Sequence, residues 1–308
     1  MDILPIYIDD IFNKGSLGRH ETFTPRYGWL KKGYDAMKGD SSVFKADDAI
    51  ERLGVGKNMV RSIRFWLQAF KLAEADRTGQ VTPTDLATKL LSNEGWDPYL
   101  EDIGSLWLLH YQLFLPQLET VSWPLAFNKC SLWSFDIRQL SQVILNAAHK
   151  YEKFAHLSDN SFERDASCLI RMYSEELTGK ESEIHCPFTQ LGLLHHAEET
   201  NEFSFNNAWK ANLSPLIFAA ACISFIKSYA DTGQKQISLN RLTYDLNSPG
   251  IAFRIPESAV GTYLNQVSEI MSNELGIIDS QGLIQLHWEG NLEELYWKTL
   301  SKYYEEQK

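Results

Sequence analysis

The sequence predicts a mainly α fold: an N-terminal helical unit over residues 1–125 and a mostly helical unit over residues 126–308, each with short β-hairpins. Three observations predict it. Residues 47–92 read as helix, helix, hairpin, helix, and a similar order returns near the end of the chain. The 308 residues are 44% hydrophobic and 22% charged, an ordinary globular composition with length for about two domains. Long disordered or low-complexity tracts are absent, so the chain can bury a substantial core.

In order, Asp47-Asp48 is expected to cap a short helix, Ala49–Leu53, which Gly54 ends in a left-handed conformation. After Val55-Gly56, a second helix runs from Lys57 to Phe70, with Val60, Ile63, Leu67 and Phe70 on one buried stripe. Lys57, Arg61, Arg64 and Gln68 form the opposite stripe, the arrangement a helix laid in a major groove requires. Lys71–Glu74 and Gln80–Thr82 then pair around Ala75–Gly79 as a wing. Thr82 is expected to cap the next helix, with Pro83 at its first position and Asp85 as the capping-box acid. This is the order of a winged helix-turn-helix.

Gly95–Asp102 forms a tryptophan-marked loop before a core helix, Ser105–Leu115, and the Pro/aromatic stretch around Trp123-Pro124 closes the first unit. The second unit opens with helices near Ser134–Ala148 and Glu163–Glu175. A polar linker, Thr178–Glu183, precedes Cys186-Pro187 and a stretch to Asn207 left unassigned. Ser214-Pro215 starts an apolar helix to about Tyr229; Ser238–Leu246 is helical, and Asn247–Gly250 reads as a turn. Pro256–Leu275 is a helix, after which Gly276–Ile278 and Leu283–Leu286 pair across Asp279–Gly282 as a second wing.

Charge singles out one segment of the chain. The net charge is −11, which argues against nucleic-acid binding by bulk attraction. Yet Lys14–Lys71 holds 12 Lys/Arg against 6 Asp/Glu, a local +6 on a remainder of −17. Pro256–Leu275 carries Glu257, Glu269 and Glu274 and no Lys or Arg, so a phosphate backbone repels it; a second winged unit there is expected to contact protein. Leu106–Leu115 and Leu213–Ile226 are too short or too interrupted to span a bilayer, and Met1–Leu4 begins no secretory leader. Cys130, Cys168, Cys186 and Cys222 include no CxxC, which suits a reducing, cytoplasmic setting.

The run Gly18–Lys32 interleaves cations with aromatics, as in segments that stack on bases while holding phosphates. For Phe23, Tyr27, Trp29 and Leu30, packing on the core is the simpler expectation; Arg19, Arg26, Lys31 and Lys32 are candidate phosphate contacts, with solvated surface charge as the alternative. His20, Glu21 and Asp97 are candidate acid–base groups, and Glu21, Asp97, Glu101 and Asp102 the carboxylates available for Mg2+ or Mn2+. Asp97, before Pro98, equally suits a helix cap. Cys168, His185, Cys186, His195 and His196 match no standard zinc spacing. No Walker A, dinucleotide-binding, HExxH or GxSxG motif is present, so no nucleotide cofactor is expected.

Together the runs Gly18–Lys32, Leu53–Val60 and Gly95–Asp102, with Arg164–Cys168, Cys186-Pro187 and Ser248-Pro249-Gly250, resemble a family of domain-of-unknown-function proteins that travels with DNA phosphorothioation genes and includes SspB. The resemblance spans nearly the whole chain. It implies a DNA-nicking component of an Ssp-type anti-phage system, acting beside a cysteine desulfurase (SspA-like) and SspC- and SspD-like proteins in single-stranded phosphorothioation. It supplies no catalytic residues. Arg19 stands where the family often has Gly, which adds charge at a candidate backbone contact.

The resulting expectation is a Mg2+- or Mn2+-dependent DNA nickase, with Lys57, Asn58, Arg61 and Arg64 over the major groove of duplex DNA. The alternatives are a non-catalytic winged-helix DNA-binding adaptor and an assembly scaffold whose acidic half docks SspC- or SspD-like partners.

Overall fold

Gly28, at φ +74°, turns the chain into α1 (Trp29–Gly39), so the basic aromatic segment ends in a helix that its sequence does not announce. The computed structural model describes residues 12, 15–174, 186–229, 233–271 and 274–307. Gly33 lets α1 cross closely over Ile63 and Leu67: a Cβ there would lie 2.6 Å from Leu67 Cδ1 and 2.7 Å from Ile63 Cγ2.

Helix α2 (Ala49–Leu53) ends as expected at left-handed Gly54, but Asp48 holds its N-cap position without a side-chain cap bond. Helix α3 (Lys57–Ala69) leads through buried Phe70 into strands β1 (Ala73–Ala75) and β2 (Val81–Pro83), antiparallel with Ala73 opposite Pro83. The following helix, α4 (Asp85–Leu91), is capped by Thr84 rather than Thr82, through a bond from the Ala87 amide to Thr84 Oγ1. The hairpin ladder explains the shift: Thr84 N–H still donates to Leu72 O at 3.2 Å, so Pro83 closes the strand and Asp85 begins the helix.

Helix α5 (Ile103–Gln112) starts at an Asp102 cap, two residues before the expected Ser105. The Trp123-Pro124 stretch belongs to α6 (Ser122–Lys129), with Pro124 in the first turn, where no intrahelical N–H is needed. Helix α7 (Ile137–Ala148) opens on a capping box of Asp136 and Gln139, and α8 (Asp159–Tyr173) begins four residues before Glu163. Glu175, the Thr178–Glu183 linker and His185 lie outside the described residues.

The unassigned stretch before Asn207 contains a hairpin, β3 (Leu194–Ala197) with β4 (Glu202–Phe205). Helix α9 (Pro215–Tyr229) follows, buried along most of its length. Strand β5 (Gln236–Ser238) leads into α10 (Leu239–Tyr244); the expected turn at Asn247–Gly250 is instead the start of α11 (Pro249–Phe253), capped by Ser248. Helix α12 (Glu257–Ile270) stops short of Leu275, which belongs to β6 (Leu275–Ser280). Strand β7 (Leu283–Trp288) pairs with β6 as expected and with β5 as well, giving the order β5-β7-β6. The chain ends in α13 (Leu292–Glu306), a helix absent from the sequence reading.

The protein is thus mainly α with small antiparallel sheets. Residue 125, the expected unit boundary, lies inside α6, and one hydrophobic cluster extends from Phe12 to Tyr304. His110 joins the two halves within it: Nε2 donates to Ala252 O at 2.8 Å, and Nδ1 accepts from Tyr173 Oη at 2.7 Å. All four cysteines are buried and free. Among the described residues no helix is long and apolar enough to cross a membrane.

Candidate nucleic-acid interface

Helix α3 is two-faced. Val60, Ile63, Leu67 and Phe70 are buried as expected, joined by Ser62, Phe65, Trp66 and Ala69. Lys57, Asn58 and Arg61 are exposed, while Arg64 and Gln68 are partly covered. The covering comes from the hairpin: Arg64 Nη2 donates to Gly79 O at 3.1 Å, and Lys45 Nζ donates to Thr78 O. These bonds fix the β1–β2 turn beside the helix.

Between helix and turn runs a groove of about 570 Å³ bordered by Arg19, Lys45, Arg61, Arg64 and Arg77, with Glu21, Asp76 and Glu119 as its acids. Burial lowers the pKa of Arg64; Glu119 opposes that shift and Arg19 adds to it. Cations so gathered repel one another and draw an anion into the groove. Arg61 Nη1 lies 3.5 Å from Glu21 Oε1, and Arg61 is still about half exposed. Lys45 and Arg77 escaped the sequence analysis as site residues. Arg77 was legible as the sole cation of the Ala75–Gly79 turn, whereas Lys45 reaches the groove only through tertiary packing.

The remaining candidate cations divide. Lys31 is buried, its Nζ donating to Asp35 Oδ1 at 2.6 Å and Asn93 Oδ1 at 2.8 Å, so it is committed inside the fold. Arg26 lies over the rings of Phe23 (5.6 Å) and Trp29 (5.3 Å), bracing the start of α1. Lys32 is exposed. Trp29 and Leu30 are buried, so the core-packing expectation holds for them, while Tyr27 is exposed.

The candidate acid–base and metal-binding residues lie in two neighbourhoods. Glu21 borders the groove. Asp97 is buried, with Oδ1 accepting from the Glu101 amide at 2.9 Å and Oδ2 from the Asp102 amide at 3.0 Å, the capping role its place before Pro98 allowed. Asp102 accepts from the Gly104 amide and from Tyr303 Oη, both at 2.6 Å, and Glu101 is exposed beside it. The Gly95–Asp102 loop is the seat of the C-terminal helix: Trp96 stacks on Tyr304 at 4.8 Å, and Lys89 lies over both Trp96 and Trp297. Among the described residues no three His, Cys, Asp or Glu side chains are grouped to hold a metal ion, and carboxylates spent on backbone amides do not fit a preformed divalent-cation site.

His20 has no solvent exposure. Its Nδ1 accepts the Thr22 amide at 3.0 Å, and Nε2 bonds Asp165 Oδ1 at 2.9 Å. It is sealed from any substrate in the groove. On β3, His195 is exposed and His196 is half-buried, while Cys168 and Cys186 are buried in the core.

Residues 17–304 match a protein family described as protein of unknown function (DUF4007). The chain is similar to an SspB crystal structure at 34% identity and TM-score 0.88, covering 96% of this chain and 90% of that one. It is likewise similar to a magnesium ion-bound SspB crystal structure at 33% identity and TM-score 0.89, with the same coverage. No curated protein sequence matches. With the family match running through nearly every described element, and SspB alike in both sequence and fold, this chain belongs to the DUF4007 family and is SspB-like.

Proposed function

We propose that the chain binds duplex DNA along α3 and the adjoining groove, as the DNA-nicking component of an Ssp-type phosphorothioation system. The observation that carries the reading is the groove itself: five cationic side chains converge between a helix and a hairpin on a chain of net charge −11. In this reading the helix–helix–hairpin–helix order of residues 49–91 works as a winged helix. Lys57, Asn58 and Arg61 lie over the major groove, while Arg19, Lys45, Arg64 and Arg77 hold backbone phosphates. Likeness to SspB supports the pathway.

Glu21, which borders the groove beside Arg61, is the carboxylate we assign to act on a backbone held there. His20, Asp97 and Asp102 are committed inside the fold, which favours a second reading, a DNA-binding adaptor whose partner supplies the chemistry. The magnesium ion in one SspB structure makes divalent cations the first additives to test, but no step of this proposal runs through one. The Lys- and Arg-free segment from Pro256 to Trp288, with Ile278 and Leu283 exposed, is the proposed face for SspA-, SspC- or SspD-like partners.

Purified protein and supercoiled plasmid, with Mg2+, Mn2+ or EDTA, decide between the readings. Open-circular product that Glu21→Gln abolishes without loss of binding supports the nickase. Binding with no product in any cation supports the adaptor, and no binding at low salt overturns both.

A further inference from the structure

The groove is built on a strained turn. Gly18 has φ +70°, and two non-glycine residues, Glu21 (φ +52°) and Thr22 (φ +66°), also lie in the left-handed region. Such conformations persist only where the surroundings over-determine them. Those surroundings meet at one carboxylate. Asp165 on α8, with no solvent exposure, accepts from the Gly18 amide at 3.0 Å and from His20 Nε2 at 2.9 Å on Oδ1, and from Ser122 Oγ at 2.6 Å on Oδ2.

His20 passes the constraint along. Its Nδ1 receives the Thr22 amide, which fixes the neutral ring as the Nε2–H tautomer, and its carbonyl receives the Phe23 amide at 2.9 Å. Two further bonds close the turn: Arg171 Nη2 to Thr22 O at 2.7 Å, and Trp66 Nε1 to Phe23 O at 3.0 Å. The groups facing His20 are Asp165 and Cys168 from α8, Phe65 and Trp66 from α3, and Trp123 from α6. Burial disfavours charge on the ring, while Cys168 and Asp165 favour it and on balance raise the His20 pKa above 6.5. The Thr22 amide aimed at Nδ1 opposes a second ring proton. Arg19 and Glu21 flank this sealed imidazole in sequence, and both line the groove.

We propose that Asp165 is a positioning residue for the groove: through His20 it holds the Gly18–Phe23 turn with Arg19 and Glu21 facing the bound backbone. The Ser122 bond anchors the carboxylate, so the placement of a surface arginine is set by a group that no ligand touches. The proposal rests on the DNA-binding reading for its consequence, though not for its geometry.

The experiment uses the full chain and a 20-base-pair duplex. Arg19→Ala is expected to reduce the slope of log affinity against log salt by about one in the wild-type background. With Asp165→Ala, Arg19→Ala is expected to add nothing. Asp165→Asn keeps an oxygen acceptor toward Gly18 and His20, and is expected to restore the Arg19 effect. An Arg19→Ala effect equal in the wild-type and Asp165→Ala backgrounds overturns the proposal.

Two measurements need no DNA. Amide exchange across residues 18–23 is expected to rise roughly tenfold in Asp165→Ala, and Thr22→Gly, which removes strain, to reverse much of that rise. In the wild-type protein, 15N-histidine spectra are expected to show His20 protonated on Nε2 and bare on Nδ1. A ring protonated on Nδ1 overturns the proposal, even if Asp165→Ala fails to fold. If Arg19→Ala is silent in wild type while exchange and tautomer behave as expected, the Arg19–DNA reading fails and the positioning geometry stands.

Discussion

Helix α3 and helix α12 each lead into an antiparallel hairpin, β1–β2 in one case and β6–β7 in the other. From Lys57 to Pro83 the chain carries five Lys/Arg and two acids; from Pro256 to Trp288 it carries four acids and no Lys or Arg. The first pair encloses a groove with cations on both walls. The second pair builds a three-stranded sheet through β5 and leaves Ile270, Ile278 and Leu283 exposed. Similar successions of elements therefore differ in side-chain charge and in the sheet they build, and the proposed uses follow the charge. Backbone order gives the shape of a reader, and charge decides what it can read.

That contrast breaks most sharply at α3. Lys57→Glu with Arg61→Glu is expected to weaken duplex binding by about a hundredfold at moderate salt, since both groups are exposed and neither packs in the core. Fluorescence anisotropy with a labelled duplex measures this. An affinity within threefold of wild type would remove α3 from the interface.

Acid tests whether the two regions stand on one core. His110 on α5 bonds the Ala252 carbonyl of α11, and burial pushes its pKa down from 6.5 to about 4. The unfolded chain takes up this proton near 6.5 while the native protein does not, so its stabilising contribution is complete above 6.5 and is lost as pH falls toward 4. The loss is at most roughly 3 kcal/mol. Urea melts at pH 7 and pH 5 are expected to show one cooperative transition moving to lower urea, with a smaller shift in His110→Gln. An equal shift in the variant would contradict the assignment.

Much of the helix framework was legible in the sequence because it follows local rules. Gly54 ends α2, the apolar stripe of α3 lies where its spacing put it, and the turn at Gly79 closes a hairpin. What escaped depends on distant partners. Helix α13 is anchored by Trp96–Tyr304 stacking and the Tyr303–Asp102 bond, contacts some 200 residues apart in sequence, so nothing near Leu292–Glu306 announces them. Asp97 and Asp102 read as site residues in the sequence because their hydrogen-bond donors do not show there. A carboxylate that caps backbone amides and one that holds a cation are the same letter in a sequence, and only the donors around them differ. Lys31, grouped with the exposed cations by its place in a basic run, turns inward because Asp35 and Asn93 receive it.

Smaller effects sharpen the comparison further. Tyr303→Phe removes the hydroxyl that donates to Asp102 and is expected to cost about 1 kcal/mol in thermal or urea unfolding, with duplex affinity unchanged. A matching loss of affinity would mean that the Gly95–Asp102 seat belongs to the DNA site. Smallest of all, Glu257→Gln with Glu269→Gln is expected to leave duplex affinity within about twofold of wild type, since the proposed DNA site lies along α3 and not along α12. A large gain would show that the acidic unit lies close enough to repel bound DNA.

The most direct test of a cationic groove on an acidic body is the salt dependence of duplex binding, measured side by side for the wild-type chain and for Arg19→Ala/Arg77→Ala. Two lost phosphate contacts are expected to flatten the slope of log affinity against log salt by about 1.8. Parallel slopes for the two proteins would place the DNA elsewhere and contradict the account.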